Sequence, residues 1–144
     1  MIEIIPMNES HVSAVAELEK QNFSEPWPEI AVRSELTNKL ALWLVALDCG
    51  EVVGYVGSQT VLQEADMMNI AVADTHRRRG IARALVEELI RQLDAYQLTL
   101  EVRQSNLAAI SLYESMGFDQ VGLRKNYYQK PKENALILRK EWKI

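Results

Sequence analysis

Residues 69–93 read NIAVADTHRRRGIARALVEELIRQL and contain the strongest helix pattern in the sequence. A short apolar run is followed by a basic segment and then by a strongly periodic one. From Ile81 onward, apolar residues recur every three or four positions, which is the spacing of one helix face. The pattern therefore predicts a helix from Arg79 to Tyr96, entered from a strand that spans Asp66 to Val72.

The segment between this strand and this helix is a candidate anion site. Backbone N–H groups in the first turn of a helix lack intrahelical partners, and the helix dipole is positive there. Gly80 and Ala82 are small enough to let an anion approach the backbone, and Arg78, Arg79 and Arg83 add positive charge. The spacing matches neither the dinucleotide fingerprint nor the P-loop. A solvated basic surface is the alternative, but the position at a strand-to-helix junction favours anion binding.

The rest of the chain predicts alternating strands and helices in the order β-α-α-β-β-β-α-β-α-β-β. The further predicted helices are His11–Asn22, Glu29–Asn38 and Leu107–Met116. The further predicted strands are Ile2–Met7, Leu40–Leu47, Val52–Leu62, Gln97–Val102, Phe118–Tyr128 and Glu133–Trp142. This order predicts an α+β fold, a mixed sheet with helices packed on it.

Composition and charge restrict the function classes. A chain of 144 residues that is 48% hydrophobic and 25% charged is typical of one soluble domain. The net charge of −4 argues against a non-specific nucleic-acid binder. The charge is unevenly divided, because residues 1–72 carry 11 acids and 3 bases whereas residues 73–144 carry 9 acids and 13 bases. Such a division indicates two partners of opposite charge, with the acids Glu25, Glu29 and Glu35 facing a basic one.

The cysteine count, the N-terminal pattern and the length of the apolar segments exclude or disfavour several classes of protein. Cys49 is the only cysteine, so the chain cannot form an intrachain disulfide. The N-terminus lacks a signal-peptide pattern, and no segment approaches the roughly 20 apolar residues that span a bilayer. We therefore expect one cytoplasmic domain over residues 1–144 with no membrane partner. His11 and His76 do not form a ligand set, and no metal is expected.

Two residues downstream of the long helix are candidates for proton transfer. In the strand Gln97–Val102, alternation places Glu101 opposite the apolar side chains, where a carboxylate in a cleft could act as a general base. The phenol of Tyr113 could donate a proton. Spacing alone favours plainer roles, an exposed strand carboxylate and a core aromatic. Asn106 is a typical helix N-cap by residue type and shares one side of its helix with Tyr113.

The sequence resembles a known family at the basic junction. Arg77-x-x-Gly80-x-Ala82 resembles the R/Q-x-x-G-x-G/A motif of the GNAT superfamily of N-acetyltransferases, with Ala82 where glycine is commoner. The resemblance implies the GNAT fold, with about seven strands and four helices packed on both faces, and acetyl-CoA as co-substrate without a metal. It implies that the CoA pyrophosphate is held by the loop residues Arg78, Arg79, Gly80, Ile81, Ala82 and Arg83. It also implies that the pantetheine arm pairs with the backbone of Ile70, Ala71 and Val72.

A longer run, LEVRQSNLAAISLYESMGF over residues 100–118, is similar to one bacterial branch of that family, the ribosomal-protein-alanine N-acetyltransferases. The resemblance implies that Glu101 is the general base, that Tyr113 is the general acid and that Asn106 contacts CoA. It implies that the acceptor is the N-terminal alanine of small-subunit ribosomal protein eighteen, with no direct nucleic-acid partner. In Glu133-Asn134-Ala135, an asparagine stands where members of the branch commonly have the aspartate of Glu-Asp-Ala. This difference affects the expected contacts with the end of the acceptor peptide and leaves the expected acetyl transfer unchanged.

Three alternatives remain open at this point. The first keeps acetyl transfer but changes the acceptor to a protein lysine, a polyamine or an antibiotic amine. The second is a non-catalytic acyl-CoA-binding module, which would leave Glu101 and Tyr113 without a purpose. The third is a nucleic-acid module built on Arg77 to Arg79, which the acidic chain disfavours.

Overall fold

The structure is a computed structural model that describes residues 1–142. The helices are α1 (Val12–Asn22), α2 (Glu29–Ser34), α3 (Ile81–Gln92) and α4 (Leu107–Ser115). The strands are β1 (Ile2–Pro6), β2 (Ala41–Asp48), β3 (Glu51–Val61), β4 (Glu64–Val72), β5 (Gln97–Arg103), β6 (Asp119–Gln129) and β7 (Lys132–Glu141). They form a seven-stranded sheet in the order β1-β2-β3-β4-β5-β7-β6, in which β4 and β5 run parallel. The expected mixed sheet of seven strands with four helices is confirmed.

The chain divides into two compact units. The first comprises Met1–Gln59 and Met68–Leu93, and the second comprises Thr60–Met67 and Asp94–Ile144. Strands β1 and β2 and helices α1 to α3 belong to the first unit, whereas β5, α4, β6 and β7 belong to the second. Strands β3 and β4 contribute residues to both.

The first unit has a core of aliphatic and aromatic side chains. Helix α1 buries Val12, Val15 and Leu18, which recur at helical spacing and pack with the strand residues Val45 and Tyr55. A stack of aromatic rings extends this core, since the rings of Trp43 and Tyr55 are nearly parallel with centroids 6.0 Å apart. The apolar stripes read from the sequence are therefore the faces that the unit buries.

The second unit buries one face of its strands. Leu98, Leu100 and Val102 alternate along β5 and are all buried, as are Leu138 and Leu136, the β7 partners of Leu100 and Val102. The opposite face of β5 carries Glu101 and Arg103, which are only partly buried. β6 lies at the edge of the sheet and is mostly exposed along its length.

The structure corrects several predicted boundaries. Helix α3 begins at Ile81 rather than Arg79, because Gly80 has a φ of +76° that no helical residue adopts, and it ends at Gln92 because Leu93 is extended. The predicted helix over Glu29–Asn38 is shorter, since α2 stops at Ser34 and a 3-10 turn follows. The remaining ends agree within two residues. No helix among residues 1–142 is long and apolar enough to cross a membrane.

Candidate functional site

The basic junction of the first unit has the backbone geometry of an anion site. Gly80 is the N-cap of α3, and no side chain caps the helix, so the N–H groups of its first turn point to an open end. Arg78, with a φ of +61°, also has a left-handed conformation. Left-handed residues are a recurring part of backbone turns whose N–H groups bind anions.

The arginines of this junction divide into two roles. Arg77 is occupied within the protein, because its Nη2 donates to Asn22 Oδ1 at 2.5 Å and lies 3.0 Å from Asp74 Oδ1. It thereby ties the loop to the end of α1. Arg78 and Arg79 are exposed and form no ion pair within the described part of the chain, so their charges are directed to solvent.

Gly54, which the sequence analysis did not single out, brings the start of α3 close to the sheet. A Cβ built on Gly54 would lie 3.2 Å from the carbonyl oxygen of Ala71 and 3.4 Å from side-chain carbons of both Ile81 and Leu85. A side chain there would push the helix away from β3 and β4. A glycine inside an otherwise apolar strand is the sequence signal that could have revealed this close approach.

The segment expected to contact the pantetheine arm is the last part of β4. The pairing of β4 with β5 covers Glu64 to Asp66, opposite Gln97 to Thr99. Ile70, Ala71 and Val72 lie beyond these pairs, so this ladder does not use their backbone groups. Their peptide groups are therefore suited to pairing with an extended ligand, although Arg77 Nε already approaches the Val72 carbonyl at 3.4 Å.

The first unit also contains a fully buried carboxylate that the sequence analysis missed. Glu19 is 0% exposed and accepts hydrogen bonds from Tyr55 Oη, from the Trp27 backbone N–H at 2.8 Å and from Asn69 Nδ2 at 2.9 and 3.1 Å. Burial and the negative charge of Glu19 raise the pKa of Tyr55. Glu19 thus joins α1 to β3, to β4 and to the segment before α2. In the sequence, Glu19 stands next to Leu18 on the helix face that was predicted to be buried, and this position could have indicated a buried carboxylate.

Glu101, in the second unit, is the candidate base. It pairs with Ile137 of β7, its side chain is 26% exposed, and Oε1 lies 3.3 Å from Arg124 Nε. Oε2 forms no hydrogen bond within residues 1–142. Burial and the charge of Glu101 both raise the pKa of the nearby Tyr127 phenol. With 26% of its side chain exposed, Glu101 is more buried than a fully solvated strand carboxylate would be.

Tyr113, also in the second unit, is a buried phenol. It is 5% exposed and packs edge-on against Phe118, with ring centroids 5.6 Å apart. Burial, helped by the Tyr128 phenol, raises the pKa of Tyr113 to about 12. The phenol is therefore fully protonated at neutral pH, as a proton donor must be. The core-aromatic interpretation is correct for its ring.

Asn106 has the capping role that its residue type predicts. Its Oδ1 accepts a hydrogen bond from the Ala109 backbone N–H at 3.2 Å at the start of α4. The side chain is exposed, and its Nδ2 has no partner among residues 1–142. One side of the carboxamide is therefore used by the helix, and the other remains available to a ligand.

The acids expected to attract a basic partner are mostly engaged within the protein. Glu29 lies 2.9 Å from Arg33, and Glu35 accepts from Trp43 Nε1 at 3.2 Å. Glu25 is exposed. Among the described residues, no group of three or more His, Cys, Asp or Glu side chains is arranged to hold a metal ion.

Comparison with known proteins places the chain beside acetyltransferases. The model of the acetyltransferase (GNAT) family matches residues 12–118. The ribosomal protein bS18-alanine N-acetyltransferase of Escherichia coli K12 is 35% identical over 143 residues, covering 96% of each chain. A putative enzyme of the same name from Bacillus subtilis is 37% identical over 131 residues, covering 88% of this chain and 87% of its own. The crystal structure of the Escherichia coli ribosomal-protein-S18-alanine N-acetyltransferase superposes with a TM-score of 0.91 at 34% identity, covering all of this chain and 96% of that one.

Proposed function

This chain belongs to the GNAT family of acetyltransferases, which take the acetyl group from acetyl-CoA, and we propose that it acetylates the N-terminal α-amine of a protein. The specific acceptor that we propose is the N-terminal alanine of ribosomal protein bS18. The observation that carries this proposal is the 35% identity to an enzyme of that name over 96% of both chains. Bound acetyl-CoA would supply an activated acetyl thioester, and no metal enters the proposed chemistry.

An α-amine is a suitable acceptor at neutral pH. Its pKa near 8 leaves roughly a tenth of it uncharged at pH 7, whereas lysine, near 10.4, is almost entirely charged. Since only the uncharged amine is a nucleophile, the protein needs a group that removes a proton from it. We propose that Glu101 accepts this proton at Oε2, directly or through a water molecule.

The departing CoA sulfur needs a proton once the thioester bond breaks. We propose that the Tyr113 hydroxyl donates it, because burial keeps this phenol protonated well above neutral pH. A thiolate is a much weaker base than an alkoxide, so its departure depends less on an acid than amine attack depends on a base. We therefore propose that loss of the base slows the reaction more than loss of the acid.

The fit of the chain to acetyl-CoA rests on the junction before α3. The uncapped helix start, the left-handed Gly80 and the exposed Arg78 and Arg79 provide amides and positive charge for a pyrophosphate. We propose that residues 78–83 bind this group and that Ile70 to Val72 pair with the pantetheine amides. Asn106 is proposed to contact CoA through its free Nδ2.

Gly80→Val is expected to weaken acetyl-CoA binding at least tenfold, measured by titration calorimetry. A β-branched side chain disfavours the left-handed backbone and fills the space through which a phosphate approaches the helix. Gly50→Val is the matched control, because Gly50 also has a positive φ, of +85°, and open space around it. The two variants should lose similar stability, and equal losses of acetyl-CoA affinity would show that strain alone is responsible.

Tyr113→Phe is expected to lower kcat by about 10²-fold, toward the lower end of the usual range for a general acid. The phenylalanine ring keeps the packing against Phe118, so stability and acetyl-CoA affinity should change little. Stopped-flow detection of the released thiol measures the rate. Tyr96→Phe removes a phenol that hydrogen-bonds Glu64 at the surface and serves as the control. A kcat for Tyr113→Phe equal to that of the control would contradict the acid role.

The proposed acceptor is tested with a matched set of amines. A peptide carrying the N-terminal sequence of bS18 is compared with the same peptide blocked at its α-amine but extended by a lysine, and with polyamines. We expect kcat/KM for the free alanine N-terminus to exceed the others by at least tenfold. Faster turnover of the lysine peptide or a polyamine would assign a different acceptor, and acetyl-CoA binding without any turnover would indicate a non-catalytic module.

A further inference from the structure

The turn between β6 and β7 is held by one arginine of the neighbouring strand. Arg103 Nη1 donates to the Pro131 carbonyl at 2.9 Å, and Nη2 donates to the Lys130 carbonyl at 3.2 Å. Nη1 also lies 3.2 Å from Glu133 Oε1. The Arg103 side chain is 27% exposed and that of Glu133 is 19% exposed, so the cluster is shielded from solvent. A single guanidinium thus binds the turn at three points.

The same guanidinium stacks on an aromatic ring of the hairpin. Its Cζ lies 4.2 Å from the centroid of the Tyr128 ring, and Tyr127 packs edge-on against Tyr128 with centroids 5.1 Å apart. A planar, delocalised cation can stack and donate in its plane at the same time, which a lysine ammonium cannot do. Arg103 therefore sets the position of an aromatic pair as well as of a turn.

The acidic and amide residues of β7 complete this attachment. Glu133 Oε2 accepts a hydrogen bond from the Ser105 backbone N–H at 2.6 Å. Hydrogen bonds from the side chain and backbone of Ser105, and then from Arg103, lower the pKa of Glu133. Asn134 accepts from the Asn126 N–H at 3.0 Å and donates to Gln104 Oε1 at 3.2 Å. The asparagine that departs from the family pattern is thus used to join both strands of the hairpin to the segment before α4.

The aromatic pair lies within electrostatic reach of both proposed proton-transfer groups. The charge of Glu101 acts on the Tyr127 and Tyr128 phenols, and Tyr128 in turn acts on Tyr113. Arg124, which pairs with Glu101, also lies 5.6 Å from the Tyr127 ring centroid. Displacement of the hairpin would therefore change the surroundings of the base and the acid together.

We propose that Arg103 is a positioning residue that holds the Tyr127–Tyr128 hairpin, and with it Arg124, in place beside Glu101. It touches neither substrate and acts through Tyr128 and the turn carbonyls. This inference rests on the proposed roles of Glu101 and Tyr113. It adds that Arg103 fixes the position of the nearby Tyr127–Tyr128 pair. Because Arg103 acts through the β6–β7 hairpin, its effect should fall on the acceptor and on turnover.

The test uses Arg103→Met, Arg103→Lys and, as a matched control, Arg91→Met, which removes an exposed arginine paired with Glu88. We expect Arg103→Met to lower kcat/KM for the acceptor peptide by roughly 10²-fold, the effect of small misplacements at a reacting centre. Arg103→Lys should recover only a few-fold of this loss, because it restores charge without the planar fork. Titration calorimetry should find acetyl-CoA affinity within about twofold of the wild type for all three variants.

A second measurement is independent of activity. Hydrogen–deuterium exchange of the amides in residues 124–134 should accelerate at least tenfold in Arg103→Met and stay unchanged in α3. Unchanged exchange in the hairpin, a kcat/KM equal to that of Arg91→Met, or full recovery by Arg103→Lys would each overturn the proposal. If the wild type acetylates no amine while hairpin exchange still responds to Arg103, the holding role stands and the proposed function is the part that fails.

Discussion

Glu101→Gln is expected to lower kcat for acetylation of the N-terminal peptide by about 10²–10⁴-fold at pH 7, the usual contribution of a general base. Glutamine keeps the size of the side chain, and its carbonyl oxygen can still accept from Arg124, so the strand should be undisturbed. The amide cannot accept a proton from the amine. Acetyl-CoA affinity, measured by calorimetry, should therefore remain within about twofold of the wild type.

The pH profile separates a base from a merely structural carboxylate. Without Glu101, the reaction depends on amine that is already uncharged, so the rate of Glu101→Gln should rise about tenfold per pH unit up to the amine pKa near 8. The deficit relative to the wild type should therefore shrink by up to about tenfold between pH 7 and the amine pKa, and the deficit that remains is the loss of proton transfer during the attack. Glu141→Gln, at an exposed position of β7, is the control for loss of one negative charge. A Glu101→Gln enzyme with wild-type kcat at pH 7 would rule out the proposed role.

The second large effect is on stability and concerns Glu19. Glu19→Ala removes the acceptor of the Tyr55 hydroxyl, the Trp27 N–H and the Asn69 amide, and it leaves a cavity in the core. Each buried donor left without a partner costs about 1–3 kcal/mol. Because Trp27 and Asn69 are only partly buried and can regain water, we expect a total loss of about 3 kcal/mol in the free energy of unfolding. For a domain of this size, that corresponds to a fall in Tm of roughly 10 °C.

Two further variants show whether hydrogen bonding is the cause. Glu19→Gln should lose only about 1 kcal/mol, since its amide can still accept from Asn69 or Trp27 and can donate to the Tyr55 oxygen. Glu17→Ala, at an exposed position two residues away on α1, should change stability by less than about 0.5 kcal/mol. Thermal unfolding followed by circular dichroism measures all three. Equal Tm values for Glu19→Ala and Glu17→Ala would contradict the account of the buried network.

Local sequence pattern was sufficient for the elements of the fold. The stripe of α3 from Ile81 to Leu89 and the alternation of Leu98, Leu100 and Val102 have the periods of a helix and a strand, and both are buried as predicted. The start of α3 was placed two residues too early, because hydrophobic period says little about where a backbone leaves the helical region. The left-handed conformation of Gly80 decides that point, and it depends on the loop as a whole.

For a similar reason, the sequence drew attention to only some of the residues discussed for the candidate site. Glu101, Tyr113 and the junction before α3 were singled out because the resemblance to GNAT motifs added to their places in a strand, a helix and a loop, and their roles stay predictions. Arg103 and Glu19 were not, since nothing in a single sequence reveals which distant groups a long polar side chain will reach. Arg103 bonds to carbonyls 27 and 28 residues away, and Glu19 bonds to Asn69 at a separation of 50.

The sequence alone is thus enough for the class of fold, for the helix that follows the basic junction and for the residue types that are candidates for proton transfer. These depend on periodicity and on intrinsic backbone preferences, which are properties of short segments. The pairing of Glu101 with Arg124, the burial that raises the pKa of Tyr113 to about 12, and the joining of separate segments by Glu19 and Arg103 depend on tertiary structure. Burial and hydrogen-bond partners are set by residues far apart in the chain, and folding alone brings these together.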